Sequence, residues 1–233
     1  MNISQKIFRK LPKNNISFIT IDGITCSGKT TYAKLLKKKL TKYFPDIFIL
    51  SKDLFLYPRK KRIEITKNIK NIKNINQNFL HYDHKKLKTL LNFIIGKSKK
   101  KKLILKKLYN RKNGKNDYVF ELKYSKKKLI IFEGIYVNDD IKFINKSILR
   151  ILLIENVYNS LSRKIERIRD KKISIQLLVS EFLDVHLNSY KNYLSKSKYD
   201  LFLQCTNKKF IKIKNGKTKQ LKEILSFFNK HVY

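Results

Sequence analysis

Gly23-Ile24-Thr25-Cys26-Ser27-Gly28-Lys29-Thr30 has the pattern G-x-x-x-x-G-K-T, which gathers free backbone amides, an ammonium and a hydroxyl around one small volume. The glycines let the chain wrap closely enough for its N–H groups to cradle a polyphosphate. Lys29 can then reach the β- and γ-phosphates, and the Thr30 hydroxyl is placed to ligate Mg²⁺. Thr31 extends the binding segment by one residue, to 23–31. A glycine-serine turn can match such a pattern by accident, but the flanks here are in register. Residues 16–22 form a β-branched, mostly apolar run, and 30–40 carry helical spacing, so the loop falls at a strand-to-helix turn whose helix start favours anions. The segment is therefore expected to hold a nucleoside triphosphate.

Two carboxylates have positions that could act on such a ligand. Asp53 follows a second strand, where a parallel sheet would point it into the ligand crevice. It could take a proton from a substrate hydroxyl, help hold Mg²⁺ through water, or simply cap a turn. Glu133 ends the apolar run Leu129-Ile130-Ile131-Phe132 and precedes Gly134, a Walker B type of signal in which the acid orients metal-bound water. A solvated acid at a strand end is the plainer alternative. Cationic candidates are Arg163, Arg167 and Arg169 on one helical stretch, the first two sharing a face at four-residue spacing. Such runs are commonly solvated surface, yet arginine retained in a lysine-rich chain suits a lid that neutralises a migrating phosphoryl group. Asp83 could hydrogen-bond a sugar hydroxyl or cap the following helix, and Tyr109 on a hairpin could pack against a base.

Positioning these groups requires a sheet. Strand signals at 16–22, 47–51, 129–132, 149–154 and 201–204 alternate with helical patterns at 30–43, 84–95, 157–171, 175–194 and 219–230. That alternation predicts an α/β fold with a parallel five-stranded sheet flanked by helices. Residues 103–123, around Asn113-Gly114, read as a small inserted hairpin, and 67–78 read as a loop or frayed helix. No linker divides the chain, so residues 1–233 are expected to form one domain.

Composition sets the outer bounds. The 233 residues include 42% hydrophobic ones, enough for a full core, with no apolar run of membrane-spanning length and no signal-peptide pattern. The two cysteines, Cys26 and Cys205, build no disulfide framework, which suits a reducing cytoplasm. A formal charge of +38 invites nucleic acid as a partner. Yet the lysines are spread along the whole chain, which has one alanine and no tryptophan, as drift toward A/T-rich codons would produce. A nucleic-acid-stimulated NTPase is the reading from another class, and no separate nucleic-acid module is visible to support it. Homo-oligomer formation stays open.

Taken in order, these elements resemble the uridine kinase and phosphoribulokinase family of phosphate-loop kinases. The resemblance runs through the loop at 23–31, Ser51-Lys52-Asp53-Leu54-Phe55, Phe79-Leu80-His81-Tyr82-Asp83-His84, Leu108-Tyr109-Asn110, Phe132-Glu133-Gly134-Ile135 and the arginine-bearing stretch at 161–170. It implies a P-loop kinase fold with a helical lid at about 160–173, and a reaction in which ATP or GTP, with Mg²⁺, phosphorylates a small-molecule hydroxyl. The 5′-hydroxyl of uridine or cytidine is the first acceptor implied, and a pantothenate-like or sugar-phosphate-like acceptor is the alternative. Residue by residue, it implies Asp53 as general base, Asp83 on the ribose, Tyr109 on the base, Thr30 and Glu133 at the metal, and Arg163, Arg167 and Arg169 over the transferred phosphate with Lys29. The chain departs from the family at Gly114, where uridine–cytidine kinases carry a base-reading histidine. It departs again at Leu56-Tyr57, where the family's tyrosine is displaced, and at Lys171-Lys172-Ile173, which replaces an Arg-Gly-Arg tail.

Overall fold

The structure is a computed structural model that describes residues 16–44, 46–69, 78–125, 128–141, 148–167, 174–180, 182, 188–206 and 209–212. In chain order its first half holds β1 (Ser17–Asp22), α1 (Lys29–Leu40), β2 (Ile47–Ser51), a 3-10 turn (Lys52–Phe55), α2 (Arg59–Ile69), α3 (Asn78–His81) and α4 (His84–Ile94). There follow β3 (Lys102–Leu108), β4 (Tyr118–Lys123), β5 (Leu129–Glu133), α5 (Val137–Asp140) and β6 (Ile148–Ile154). The last described elements are α6 (Val157–Glu166), α7 (Ile175–Ser180), α8 (Asn188–Lys196), β7 (Leu201–Thr206) and β8 (Lys209–Lys212).

The main sheet has the order β2-β5-β1-β6-β7-β8. Its first five strands are parallel and are the five expected from sequence. The sixth, β8, was not expected; it returns antiparallel along β7, pairing Leu203 with Lys212 and Thr206 with Lys209. All six residues of β1 and all five of β5 are buried, because helices and the hairpin cover both faces of the sheet. The two-residue period of the strands sorts their side chains into two cores. Phe18, Leu50, Ile130 and Phe132 pack with α4 (Leu87, Leu90, Leu91) and with the hairpin residues Leu103, Leu105, Phe120 and Leu122. Ile19, Ile21, Ile131 and Leu153 face the other way, onto Tyr32, Ala33, Leu36 and Leu40 of α1. Burying a large aliphatic or aromatic side chain of this kind contributes roughly 1.5–3 kcal/mol relative to exposure.

Strands β3 and β4 form the inserted hairpin, antiparallel and separate from the main sheet. Of the helix expected over 175–194 the described residues include α7 and α8, and the expected helix at 219–230 lies outside the described residues. Helix α2 begins well before the lysine-asparagine-isoleucine stretch, most of which also lies outside them. Among the described residues no helix is long and apolar enough to cross a membrane.

One charged pair sits inside this frame. Lys52 is fully buried, with its ammonium 2.6 Å from Asp140 Oδ2 and 4.6 Å from the ring centre of Tyr82. Burial drives the Lys52 pKa down and Asp140 pulls it back up. A β-carbon on Gly134 would meet Lys52 Cβ at 2.6 Å, so the chain leaving β5 passes the lysine stem at a distance only glycine permits. The pair thereby ties the 3-10 turn that carries Asp53 to the segment after Glu133. Replacing Asp140 by Asn strands the buried ammonium beside a neutral amide. It should cost about 3–5 kcal/mol of unfolding free energy, read by urea denaturation at neutral pH.

Candidate active site

The segment joining β1 to α1 folds as the motif requires. Cys26 (φ 59°) and Gly28 (φ 90°) both take left-handed conformations, which turn successive N–H groups toward a common centre. No side chain caps the start of α1, leaving its first amides for an anion. Lysines 37, 38 and 39 in the last turn complement the opposite end of the helix dipole. The Lys29 ammonium donates to the carbonyls of Gly23 (2.9 Å) and Ile24 (2.7 Å), spanning the loop it would leave to meet a phosphate. Its pKa is lowered by burial, against the opposing pull of Glu133, Asp53 and Asp22.

An open cleft lies over this loop. The loop residues from Thr25 to Thr31 form one wall, and Asp53, Arg111, Glu133, Ile135 and Arg167 form the rest. The sheet register accounts for the two acids, since Glu133 at the end of β5 lies level with Ile21 of β1 and Ser51 of β2. Asp53 follows Ser51 by two residues, so both carboxylates emerge at the C-terminal edge, where parallel sheets bind ligands. Thr30 Oγ1 donates to Glu133 Oε1 at 3.2 Å, bringing together the two residues expected at the metal. Burial and the neighbouring Asp53 raise the Glu133 pKa, and Lys29 and Arg111 act in the other direction.

Of the three arginines expected in a lid, Arg167 lines the cleft from the C-terminal end of α6. Arg163 lies one turn back, donating to the Cys26 carbonyl (3.2 Å) and to the buried Glu155 Oε2 (2.6 Å), so it clasps α6 to the phosphate loop. Arg169 lies outside the described residues. The two acceptor-side candidates stand apart from the cleft wall. Asp83 is the N-cap of α4, accepting from the Lys86 amide at 3.0 Å, and its carboxylate lies 3.5 Å from the Lys86 ammonium. Tyr109 accepts a hydrogen bond from Arg62 Nη2 at 3.0 Å, with the guanidinium carbon 5.0 Å from its ring centre. Gly114 sits at φ +74° in the hairpin turn, a conformation in which a histidine would be strained.

Two groups at the site escaped the reading of the sequence. Arg111, on the hairpin turn, reaches across to Asp53 with Nη2 2.5 Å from Oδ2. Its signal was an arginine retained among lysines, three residues before the turn glycine. The other is Asp22, the fully buried last residue of β1. Its Oδ1 accepts from the amides of Gly23 (2.8 Å) and Tyr136 (3.3 Å) and from the Tyr190 hydroxyl (3.1 Å). Its Oδ2 accepts from the hydroxyls of Tyr193 and Tyr199, the latter at 3.2 Å. Burial raises the Asp22 pKa, while the Tyr193 hydroxyl and the Gly23 amide lower it. An acid inside an otherwise uncharged strand was the available signal; the tyrosine hydroxyls that meet it lie more than 160 positions away.

A parallel sheet with a phosphate loop after its central strand, two acids at its C-terminal edge and an arginine-bearing helix beside them defines a P-loop kinase fold. The chain belongs to the phosphoribulokinase / uridine kinase family, whose model matches residues 18–211. Solved structures agree on the fold. A possible uridine kinase from Bacillus stearothermophilus superposes with a TM-score of 0.51 at 16% identity, covering 79% of this chain and 90% of that one. The D-glycerate 3-kinase from Cryptococcus neoformans gives 0.54 at 11% identity, over 85% and 90% of the two chains. YFH7 from Saccharomyces cerevisiae gives 0.59 at 12% identity, over 88% and 97%. No curated protein matches the sequence.

The Asp22 cluster yields a direct prediction. Tyr193→Phe removes a donor to a buried carboxylate and should cost about 1.5–3 kcal/mol in chemical denaturation. Tyr158→Phe, at a side chain 53% exposed, should stay within about 0.5 kcal/mol of the parent.

Proposed function

We propose that the protein transfers the γ-phosphoryl group of ATP or GTP to a hydroxyl of a small metabolite. The observation that carries this reading is the convergence of Lys29, Thr30, Asp53, Glu133 and Arg167 on one cleft at the sheet edge. The loop amides and Lys29 bind the β- and γ-phosphates. A hydroxyl and a buried carboxylate 3.2 Å apart are hard oxygen donors of the kind Mg²⁺ takes, so Thr30, with Glu133 behind it, would hold a nucleotide-bound ion. When bound, that ion neutralises charge on the β- and γ-oxygens. Asp53 orients the acceptor hydroxyl and takes its proton as the oxygen attacks the γ-phosphorus. The bond to the β,γ-bridging oxygen breaks, and the nucleoside diphosphate leaves with that electron pair. Arg167, with Arg163 and Arg169 on the same stretch, supplies positive charge over a loose transition state in which the protein does little covalent chemistry.

For the acceptor, the resemblance supports uridine or cytidine, with Asp83 toward the ribose and Tyr109 toward the base. A second reading, an anionic acceptor such as a pantothenate-like or sugar-phosphate-like hydroxyl compound, is favoured by specific contacts. Arg111 faces the cleft, Arg62 holds Tyr109, and the left-handed backbone at Gly114 would strain a base-reading histidine there. We place the protein in the cytoplasm, where the free Cys26 thiol in its phosphate loop would stay reduced.

Coupled ADP detection over a panel of nucleosides, sugar phosphates and hydroxy acids tests the acceptor class. Turnover with uridine or cytidine supports the first reading, and turnover confined to anionic compounds supports the second. With whichever acceptor responds, Asp53→Asn should lower kcat by about 10²–10⁴-fold while leaving the Kd for ATP nearly unchanged. A comparable loss of ATP binding in that variant would remove Asp53 from the role of base.

A further inference from the structure

The contact between Arg111 and Asp53 poses a problem for catalysis. One carboxylate oxygen of the proposed base is engaged by a guanidinium at 2.5 Å. Arg111 is not a stray surface arm that happens to fall there, since the turn presenting it is organised by its own hydrogen bonds. Asn110 and Asn113 both donate to Asp117, the first at 2.9 Å, and the Gly114 amide donates to the Asn110 carbonyl at 2.8 Å. The turn is also docked on the segment that carries Asp53. The Tyr109 amide donates to Leu54 O at 2.8 Å, and Asn116 Nδ2 donates to Leu56 O at 3.3 Å. The hairpin therefore aims a permanently charged group at the base from a fixed place, with the Arg111 side chain still half exposed and able to swing away. Its pKa is raised above the ordinary value, with Asp53 as the main cause.

A P-loop kinase in which a general base faces the γ-phosphate has a standing hazard. Before an acceptor arrives, water can occupy the acceptor's place and be activated in its stead. We propose that Arg111 is a positioning residue that occupies the Asp53 carboxylate until an acceptor enters, and so suppresses idle hydrolysis of bound ATP. The inference rests on the reading of Asp53 as the base and of the loop as a nucleotide site. The reaction it prevents is balanced and simple. A water oxygen attacks the γ-phosphorus, its proton passes to the free Asp53 oxygen, and the bond to the bridging oxygen breaks, releasing ADP and inorganic phosphate. With Arg111 seated, Oδ2 is engaged by its Nη2–H donor and does not receive the proton. An acceptor hydroxyl entering the cleft replaces the guanidinium at Asp53, and the half-exposed arginine swings out toward solvent.

The test needs no knowledge of the acceptor. Phosphate release from MgATP by the 233-residue chain is followed without acceptor for the parent, Arg111→Gln, Arg111→Lys, Asp53→Asn and the double variant Arg111→Gln/Asp53→Asn. ATP binding of each is measured by equilibrium dialysis. Arg111→Gln should raise acceptor-independent phosphate release on the order of tenfold, with ATP binding retained. The double variant should return to the level of Asp53→Asn, and Arg111→Lys, which keeps a cation facing the carboxylate, should stay near the parent. Release at or below the parent level in an ATP-binding Arg111→Gln variant overturns the inference. So does an increase that survives the loss of Asp53. Loss of ATP binding in Arg111→Gln alone would make Arg111 a phosphate ligand and overturn it too. A parent protein that binds no ATP would instead refute the nucleotide site itself, a failure distinct from the others.

Discussion

A phosphate loop must hold its amides open toward solvent while resting on a sheet that is apolar on both faces, and Asp22 reconciles the two demands. As the last residue of β1 it is fully buried, yet it accepts five hydrogen bonds from four directions in the fold. The Gly23 amide is the first residue of the loop, and the Tyr136 amide belongs to the segment leaving β5 after Glu133. Tyr190 and Tyr193 come from α8, and Tyr199 from the approach to β7. A carboxylate is suited to this because it accepts at two oxygens, each in several directions, and charge-assisted bonds are roughly twice as strong as neutral ones. The loop, the exit of β5 and the C-terminal helices are thereby registered against one another through a single side chain. Partial satisfaction of such a network would be costly in a low-dielectric interior, so its geometry is held tightly.

The charges above Asp22 are arranged by opposition. Lys29 lies under the influence of Glu133, Asp53 and Asp22, and Arg111 under that of Asp53 and Glu133. Both cations rest on protein acceptors, the loop carbonyls for Lys29 and the Asp53 carboxylate for Arg111. Lys52 and Asp140 do the same work one layer lower, as a buried pair that fixes the turn under Asp53.

What the sequence made legible follows from how local each signal is. The loop is eight contiguous residues, and each of the five parallel strands is a short apolar run bounded by polar residues. Asp53 and Glu133 could be placed because strand ends are visible and parallel sheets bind ligands at one edge. Strand β8 was missed because its lysine-rich four residues carry no apolar alternation, and its pairing with β7 supplies the reason it forms. Helix α2 was missed because its apolar positions are few among lysines and arginines. For Asp83 the helix-cap alternative is the contact that forms, a signal that was local and readable. The tyrosines on Asp22, the Lys52–Asp140 pair and the Arg111–Asp53 contact are long-range contacts, and no periodicity in a single chain reports them. Arg111 and Asp22 did leave a compositional trace, one an arginine among lysines and the other an acid in a strand without other charges.

The central claim is that residues 23–31 bind a nucleoside triphosphate through Lys29 and the loop amides. Calorimetric titration of MgATP and MgGTP into the parent protein and into Lys29→Ala measures this without any acceptor. The parent should bind at least one of the two nucleotides saturably at one site, and Lys29→Ala should weaken that binding on the order of tenfold or more, the size expected for loss of a buried charge-assisted contact. Equal affinity in the two proteins, or no saturable binding to the parent, would contradict the account.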